Sequence, residues 1–167
     1  VAAEYFYPNG IKSSEGFLVN KKPDGYWKTY HESGSLKSEG NRKNFQLDSL
    51  WRFYDESGVL TLEITYQNDK KNGPRTTFLS DGTVIENFLN DIKTGVTKTL
   101  DLKKRLVKSV PFYNGLEEGL ALSYDTLGII IELTTYKRGY IVDRERINRR
   151  DADNNAQGIW KWFYDDG

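Results

Sequence analysis

The chain has 167 residues, of which 24 are basic and 24 acidic, so its formal net charge is zero. This length is typical of a single domain, and the balanced charge excludes the net basic footprint that nucleic-acid-binding proteins normally carry. Cysteine is absent, which excludes disulfides, thiolate metal sites and cysteine nucleophiles. No apolar run approaches the roughly 18 residues that a membrane-spanning helix needs, so no transmembrane segment is predicted.

The first recurring element is a turn that follows an aromatic segment. Residues 25–41 and 49–65 share seven identities at a spacing of 24 residues, among them Trp27/Trp51 and Tyr30/Tyr54. Glycine accepts positive φ without steric cost, so the Asn-Gly, Asp-Gly and Ser-Gly dipeptides in these places favour turns. The spacing predicts this turn at seven positions: Gly10, Gly34, Gly58, Gly82, Lys104, Gly128 and Gly167.

A second turn is predicted halfway round each repeat, where an asparagine precedes a glycine or serine by five residues. Its five copies begin at Asn20, Asn44, Asn68, Asn90 and Asn114. Two turn signals per 24 residues, beside segments rich in aromatic and β-branched residues, predict two short antiparallel strands per repeat. Such a small unit cannot bury its apolar face alone, so neighbouring hairpins are expected to stack into a continuous sheet.

Apolar residues recur around the first turn with period two. Tyr30 and Tyr54 lie four residues before the turn, Leu36 and Leu60 two residues after it, and Ile64 six residues after it. This alternation predicts that they share one face of the sheet.

Acidic residues recur five residues after the first turn, at Glu15, Glu39 and Glu63. Their shared register predicts a structural role, as cross-strand partners of Lys or Arg.

The sequence therefore predicts an all-β fold: a single-layer antiparallel β-hairpin solenoid of about seven units, in one repeat domain over residues 1–167. The unit boundaries are expected near 1–24, 25–48, 49–72, 73–94, 95–118, 119–157 and 158–167, the last of them incomplete.

One break in the repeat predicts a charged insertion. Gly119 and Gly158 are 39 residues apart instead of 24, which places the insertion at about 137–157. Because insertions in repeat proteins often lie on the binding face, its residues are candidates for partner contact; the alternative is a solvated loop without a partner. The candidates are Arg138, Tyr140, Arg144, Arg146, Arg149 and Arg150.

Trp27 and Trp51 are further candidates for partner binding, because exposed aromatic rows bind sugars or peptides. The simpler interpretation is that they pack against neighbouring units and cover the second face of the sheet.

A calcium-like pattern occurs in the same segment. Asp151, Asp153 and Asn155 have the spacing of the first ligands of a calcium loop, but Ala156 and Trp162 occupy the positions that require glycine and glutamate. A solvated acidic loop is therefore the favoured interpretation.

The single histidine, His31, lies at a turn position that other repeats fill with Tyr7 or Asp55, which is typical of a surface site. We expect no catalytic, cofactor-binding or metal-binding residue, and a protein that is not an enzyme.

The segments YPNGIKSSEGF, GYWKTYHESGSLKSEGN and SLWRFYDESGVLTLEIT resemble the MORN-repeat variant family of bacteria. The family's unit, aromatic-x-x-x-Gly-x-Leu-Lys-x-Glu-Gly, is matched best by Tyr30, Gly34, Leu36, Lys37, Glu39 and Gly40. Lys104 in place of the turn glycine and the long insertion depart from it. The resemblance implies a β-hairpin solenoid used for binding or scaffolding; some relatives are antitoxins, and many look like exported envelope proteins.

These observations together predict a non-catalytic protein-protein interaction scaffold, an accessory subunit of a bacterial cell-envelope or secretion assembly in the periplasm or at the outer membrane. The assembly is expected to be protein, with a possible membrane association; no nucleic acid or cofactor is expected. A partner would contact one sheet face, the insertion, or a free sheet edge through strand addition. Two alternatives are a cytoplasmic antitoxin or immunity protein that neutralises a toxin, and a glycan- or lipid-surface-binding module.

Overall fold

The structure, a computed structural model, describes residues 1–163. All sixteen regular elements among those residues are β-strands, and no helix in that range is long and apolar enough to cross a membrane. The chain also divides into two larger compact units, each of which contains several hairpin repeats. The first unit is made of residues 1–80 and 85–92, and the second of residues 81–84 and 93 onward. Below, first unit and second unit always mean these two parts.

The strands of the first half of the chain are β1 Ala2–Phe6, β2 Lys12–Val19, β3 Lys22–Tyr30, β4 Leu36–Lys43, β5 Gln46–Tyr54, β6 Leu60–Gln67, β7 Lys70–Leu79 and β8 Gly82–Leu89. Those of the second half are β9 Ile92–Asp101, β10 Leu106–Tyr113, β11 Leu116–Glu117, β12 Gly119–Tyr124, β13 Ile130–Lys137, β14 Tyr140–Arg146, β15 Arg149–Arg150 and β16 Ala156–Gln157. Fourteen strands form one antiparallel sheet in chain order, with β11 as a side branch on β10, and β15 pairs with β16. The predicted all-β hairpin-repeat fold is confirmed.

The second predicted turn is a two-residue hairpin turn. All five asparagines have φ between 50° and 52°, and the residue after each is also positive, as at Lys21 (63°) and Phe45 (64°). Two consecutive positive φ values define the type I′ turn, whose twist matches that of the flanking strands. The glycine or serine five residues further on lies in a bulge of the outgoing strand, as Gly25 does with φ 72°.

The first predicted turn has a recurring backbone pattern. In the copy after β5, the Asp55 N–H donates to the Val59 carbonyl at 3.0 Å, and the Gly58 N–H donates to the Asp55 carbonyl at 3.0 Å. The same two bonds close the turns that start at Tyr7, His31, Asp101 and Asp125. Positive φ values occur at five of the predicted positions, Gly10, Gly34, Gly58, Lys104 and Gly128.

Two predicted turn positions have a different outcome. Gly82 has no positive φ and begins β8 instead; a Cβ there would lie 2.1 Å from the Leu100 carbonyl oxygen, so close backbone approach explains the glycine. Gly167 lies outside the described residues.

The structure differs from the predicted insertion at 137–157, because the repeat continues through this segment. Arg138 and Gly139, with φ 50° and 82°, form the next hairpin turn, 24 residues after Asn114. β14 then pairs with β13. The following turn starts at Asp151, whose N–H donates to the Asn155 carbonyl at 3.0 Å. The repeat is not recognisable in the sequence because Arg138 replaces the asparagine of the hairpin turn. In addition, Asn154 replaces the glycine of the next turn and lies 26 residues after Gly128 instead of 24.

The predicted placement of the apolar residues on one face is wrong. Cross-strand pairs place Trp51 beside Ile64 and, on the other face, Arg52 beside Glu63. The Tyr54 hydroxyl reaches the Glu39 carboxylate, so Tyr54 lies on the charged face, away from Ile64. The physical reason is a β-bulge where β5 meets β6, since an extra residue reverses the alternation of side chains.

The core of the first unit lies on the face of the sheet that carries Trp27, Trp51 and Ile64. Trp27, Trp51 and Ile64 are only 6%, 3% and 5% exposed. Each indole lies flat over a glycine of the preceding strand: a Cβ on Gly16 or Gly40 would be 2.4 Å from the ring of Trp27 or Trp51. The glycines therefore make room for the rings. In the second unit the most buried apolar residues are Ala121 and Ile147, at 1% and 0% exposure.

Candidate interaction surface

β14 is the last strand in the order of the large sheet. No other strand within residues 1–163 pairs with its outer edge. Its first three residues have large hydrophobic side chains that are exposed: Tyr140 is 76%, Ile141 49% and Val142 58% exposed. An unpaired strand edge presents free N–H and C=O groups and is a template for pairing with another chain.

The register of β14 shows which of its backbone groups point away from β13. The Ile147 N–H donates to the Ile131 carbonyl at 3.0 Å, on the side of β13. Hydrogen-bonded and non-hydrogen-bonded pairs alternate along an antiparallel ladder, so Glu145 also bonds inward. Arg144 and Arg146, which pair with Thr134 and Glu132, direct their N–H and C=O groups outward. These outward groups of Arg144 and Arg146 are called the open edge below.

The two arginine side chains of the open edge share one carboxylate. The Nε atoms of Arg144 and Arg146 lie 3.8 and 3.3 Å from the carboxylate oxygens of Glu132. The arginine side chains are 47% and 64% exposed. Two guanidinium groups against one carboxylate leave this face of β14 with a net positive charge.

A cavity of about 500 Å³ continues this positive surface. Its charged and polar lining comprises Arg146, Arg149, Arg150, Asn148, Glu132 and Asp125. This set of residues is called the arginine cavity below. Three guanidinium groups outnumber two carboxylates in it, so an anionic group is the ligand that its charge favours.

Arg150 is held in place at the cavity by the turn beside it. Its Nη1 donates to the Asn154 carbonyl at 2.8 Å, and its guanidinium lies 4.9 Å from the centre of the Trp160 ring. A stacked guanidinium of this kind keeps its charge and retains free donors.

Asn148 shows how the end of this edge receives an extended segment of the chain itself. Asn148 is 7% exposed, and its N–H donates to the Ile159 carbonyl at 2.8 Å. Its side-chain oxygen accepts the Lys161 N–H at 2.7 Å, and its amide nitrogen donates to the carbonyls of Lys161 and Ile130 at 2.9 and 3.0 Å. The main chain of residues 159–161 therefore already binds to Asn148, just beyond the open edge.

The structure brings some of the predicted binding residues together and leaves others apart. Arg144 and Arg146 form the open edge, Tyr140 lies on the same strand, and Arg149 and Arg150 line the arginine cavity. Arg138 is elsewhere: it lies in the hairpin turn, where its N–H donates to a Glu118 carboxylate oxygen at 2.7 Å.

Trp27 and Trp51 belong to the first unit, and both are buried. Their N–H groups donate to the carbonyls of Phe17 and Asn41 at 3.1 and 2.8 Å. Both indoles are therefore engaged inside the unit.

Sequence reasoning missed Glu132 and Asn148. Glu132 lies opposite Arg146 only once the strand register is known, and the sequence gives no register for a segment taken as an insertion. A signal for Asn148 was the two-residue lengthening between Gly128 and Asn154, compared with the repeat of 24.

The predicted role of the recurring glutamates in the first unit is confirmed. Cross-strand pairing builds a row that alternates in charge: Glu15, Lys28, Glu39, Arg52 and Glu63. The Arg52 Nε lies 2.9 Å from a Glu63 carboxylate oxygen. Lys12, from outside the row, lies 2.8 Å from Glu15.

Tyrosine hydroxyls complete this charged row and change its protonation. Burial opposes ionisation of Glu39, but hydrogen bonds from Tyr54 and Tyr26 outweigh it, so the pKa of Glu39 lies below its ordinary value. The Lys12 ammonium and the Tyr30 hydroxyl likewise lower the pKa of Glu15. Burial, assisted by the hydrogen bond to Glu39, raises the pKa of Tyr26 to about 12. The three glutamates of the row thus all have partners within the first unit.

The calcium-like spacing at Asp151 has a structural explanation. The Asp151 carboxylate accepts the N–H groups of Asp153 and Asn155 at 3.0 and 2.8 Å, which closes the turn. Asp55, Asp101 and Asp125 cap their turns in the same way. Within residues 1–163 no group of three or more His, Asp or Glu side chains is placed to hold a metal ion.

His31 also has a structural contact: its Nε2 lies 3.0 Å from the Tyr54 carbonyl oxygen and so donates to it. The bond joins two successive turns.

Comparison with known proteins identifies the repeat. No curated protein matches the chain. The family described as MORN repeat variant matches residues 23–44 and 47–68, two segments offset by the 24-residue period. Each segment contains most of a strand, the first turn and the returning strand. Residues 23–44 and 47–68 are therefore MORN repeat variants, which confirms the resemblance predicted from the sequence.

Proposed function

We propose that this chain is a non-catalytic protein-interaction scaffold that receives its partner at β14. The observation that carries the proposal is the unpaired outer edge of this strand, together with the exposure of Tyr140, Ile141 and Val142. Proteins usually blunt such edges, and an exposed one supports recognition by strand addition. The alternating charges of Asp143 to Arg146 keep the edge soluble while leaving its backbone accessible.

The proposal includes a cellular setting, an accessory subunit of a bacterial cell-envelope or secretion assembly, in the periplasm or at the outer membrane. It rests on the family resemblance, since MORN-variant repeats suggest binding. A glycan- or lipid-binding function through Trp27 and Trp51 has less support, because both rings are buried and bonded within the first unit.

Site-specific cross-linking in the native cells tests this function. A photo-crosslinking amino acid replaces Tyr140, and a matched control replaces Phe17, which is 57% exposed in the first unit. We expect one partner, at a stoichiometric level, to be captured from position 140 and not from position 17. Capture of the same proteins from both positions, or of none, would contradict a partner site at β14. Capture of a small toxic enzyme would assign the chain to the antitoxins.

A further inference from the structure

We infer that the occupant of the open edge is an extended acidic segment of another protein, which adds a strand beside Arg144 and Arg146 and directs its carboxylates towards their guanidinium groups. The inference rests on the proposed scaffold function and specifies its ligand. Three properties of β14 support it: backbone groups with which no other strand of residues 1–163 pairs, a bulge that is compatible with an added strand, and a surplus of positive charge.

The outward N–H and C=O groups of Arg144 and Arg146 supply the backbone sites. β14 carries a register shift beside Val142, and bulges often protect an edge against pairing. In this fold they do not. β5 has an equivalent shift where it meets β4 and still pairs with β6 along its other edge. The shift in β14 is therefore compatible with an added strand.

Charge selects the chemistry of that strand. Glu132 lies within 3.8 Å of both guanidinium groups and neutralises only one of them. The arginine cavity next to Arg146 adds Arg149 and Arg150. On the opposite face of β14, Glu145 is already ion-paired with Lys161. The face that carries Arg144 and Arg146 is thus positive, and carboxylates on alternate residues of an added strand can all point to that face.

A second copy of the chain fits this edge poorly. Two-fold antiparallel pairing places one residue of β14 opposite itself in the copy. Centred on Asp143 or Arg144, such pairing puts like charges face to face, which is destabilising. Centred on Val142, it places the apolar Ile141 against the carboxylate of Asp143. The edge is therefore better matched to a segment with a different charge pattern.

Fluorescence anisotropy with synthetic peptides tests the inference on the full chain. The probe is a labelled seven-residue peptide in which glutamate alternates with valine; the controls carry lysine for glutamate, or methyl groups on alternate backbone nitrogens. We expect the glutamate peptide to bind, and both controls to bind at least about tenfold more weakly. The methylated control matters because it keeps every carboxylate while losing strand pairing.

Two protein variants locate the binding. Arg144→Ala/Arg146→Ala is expected to weaken the glutamate peptide by at least about tenfold. Lys103→Ala/Lys137→Ala removes the same charge from exposed positions of the same unit, and is expected to change affinity by less than about twofold. Arg144→Pro removes an outward N–H without removing an inward hydrogen bond. It should weaken binding of the glutamate peptide as much as Arg144→Ala/Arg146→Ala does. If that variant does not fold, the methylated peptide makes the same test.

Several results would overturn the inference. These are no binding of the glutamate peptide, equal binding of the methylated peptide, or equal loss in Lys103→Ala/Lys137→Ala. Sedimentation that shows a dimer broken by Arg144→Ala/Arg146→Ala would identify a second copy as the occupant instead. The scaffold proposal is tested separately, because photo-crosslinking from position 140 detects a partner at β14 whatever the charge of its binding segment. The peptide assay can therefore contradict the acidic ligand while the cross-linking still supports the scaffold.

Discussion

Equivalent positions of the hairpin repeat carry different chemistry in the two units. In the first unit the central row of the charged face alternates Glu39, Arg52 and Glu63. In the second unit the same positions hold Ser109, Leu122 and Leu133. Both rows belong to hairpins of the same design, so the turns and the backbone ladder specify the strand pairing, and the face residues set the surface.

The opposite face shows the same contrast. Trp27 and Trp51 cover the first unit, whereas Thr97 and Ala121 occupy the equivalent positions in the second. The first unit thus pairs its recurring glutamates on one face and buries its two tryptophans on the other. In the second, two arginines of β14 share one carboxylate, and no other strand within residues 1–163 pairs with the outer edge of β14. The difference teaches that one repeat design can carry paired charges in one region and a surplus of positive charge in another.

The largest effect that would test this contrast is expected from Trp51→Ala. The indole is 3% exposed, and removing a buried tryptophan costs about 3–5 kcal/mol of unfolding free energy. The matched change is Thr97→Ala in the second unit, which removes a buried hydroxyl without a hydrogen-bond partner and should cost less than about 0.5 kcal/mol. Urea unfolding followed by circular dichroism measures both. Similar losses for the two variants would remove the distinction between the units.

Gly40→Ala is expected to follow, with a loss of about 1–3 kcal/mol, because the new Cβ meets the Trp51 ring at 2.4 Å. The equivalent position in the second unit is Val110, which faces Thr97 and already carries a side chain. A double-mutant cycle with Trp51→Ala measures the coupling. We expect the cost of Gly40→Ala to fall close to zero in the Trp51→Ala background; an unchanged cost would assign it to the backbone rather than to the ring.

A smaller effect is expected from acid. The pKa of Glu39 is lower in the folded chain than in the unfolded chain, so its ionisation stabilises the fold above the unfolded pKa of about 4.3, and this contribution is lost as pH falls through the folded pKa. Glu39→Gln should cost roughly 1 kcal/mol at pH 7 and flatten the loss of stability towards pH 3. Melting curves at several pH values test this, with Glu56→Gln in an exposed turn as control. Equal pH profiles for wild type and Glu39→Gln would contradict it.

The smallest effect is expected from Val142→Thr on β14. Val142 and Val59 are both 58% exposed, so Val142→Thr and Val59→Thr should each change stability by less than about 0.5 kcal/mol. Thermal melting of the purified chain compares them. A clearly larger loss for Val142→Thr would indicate that β14 is covered in solution, and the edge would then not be open.

Local sequence signals predicted most of the fold. Asn44 and Asn68 identified hairpin turns because few residues accept positive φ, and Glu39 with Arg52 identified a cross-strand row because charges on one face need partners. The signal failed at Arg138, where an arginine adopts φ 50° in the same turn. The surrounding hairpin can hold an arginine at a positive φ although this residue type does not prefer it, so residue preference alone does not predict the turn.

The candidate site was only partly predictable. The arginines of residues 138–150 stood out by composition, but Glu132 and Asn148 depend on strand register and on a segment that returns from later in the chain. Trp27 and Trp51 were predicted either to bind or to pack, and their burial follows from the flat space that Gly16 and Gly40 leave for the rings. Neither the repeat period nor the composition predicts this contact between each indole ring and the glycine beneath it.

The sequence by itself determined the repeat, the two turns in each unit and the antiparallel hairpins, because turn chemistry and alternation act between residues close in the chain. Only the tertiary structure decided that residues 137–157 continue the repeat, that a bulge places Tyr54 and Ile64 on opposite faces, and which backbone groups of β14 point away from β13. Those features depend on register between strands, and register is set by the sum of contacts across the sheet rather than by any one segment.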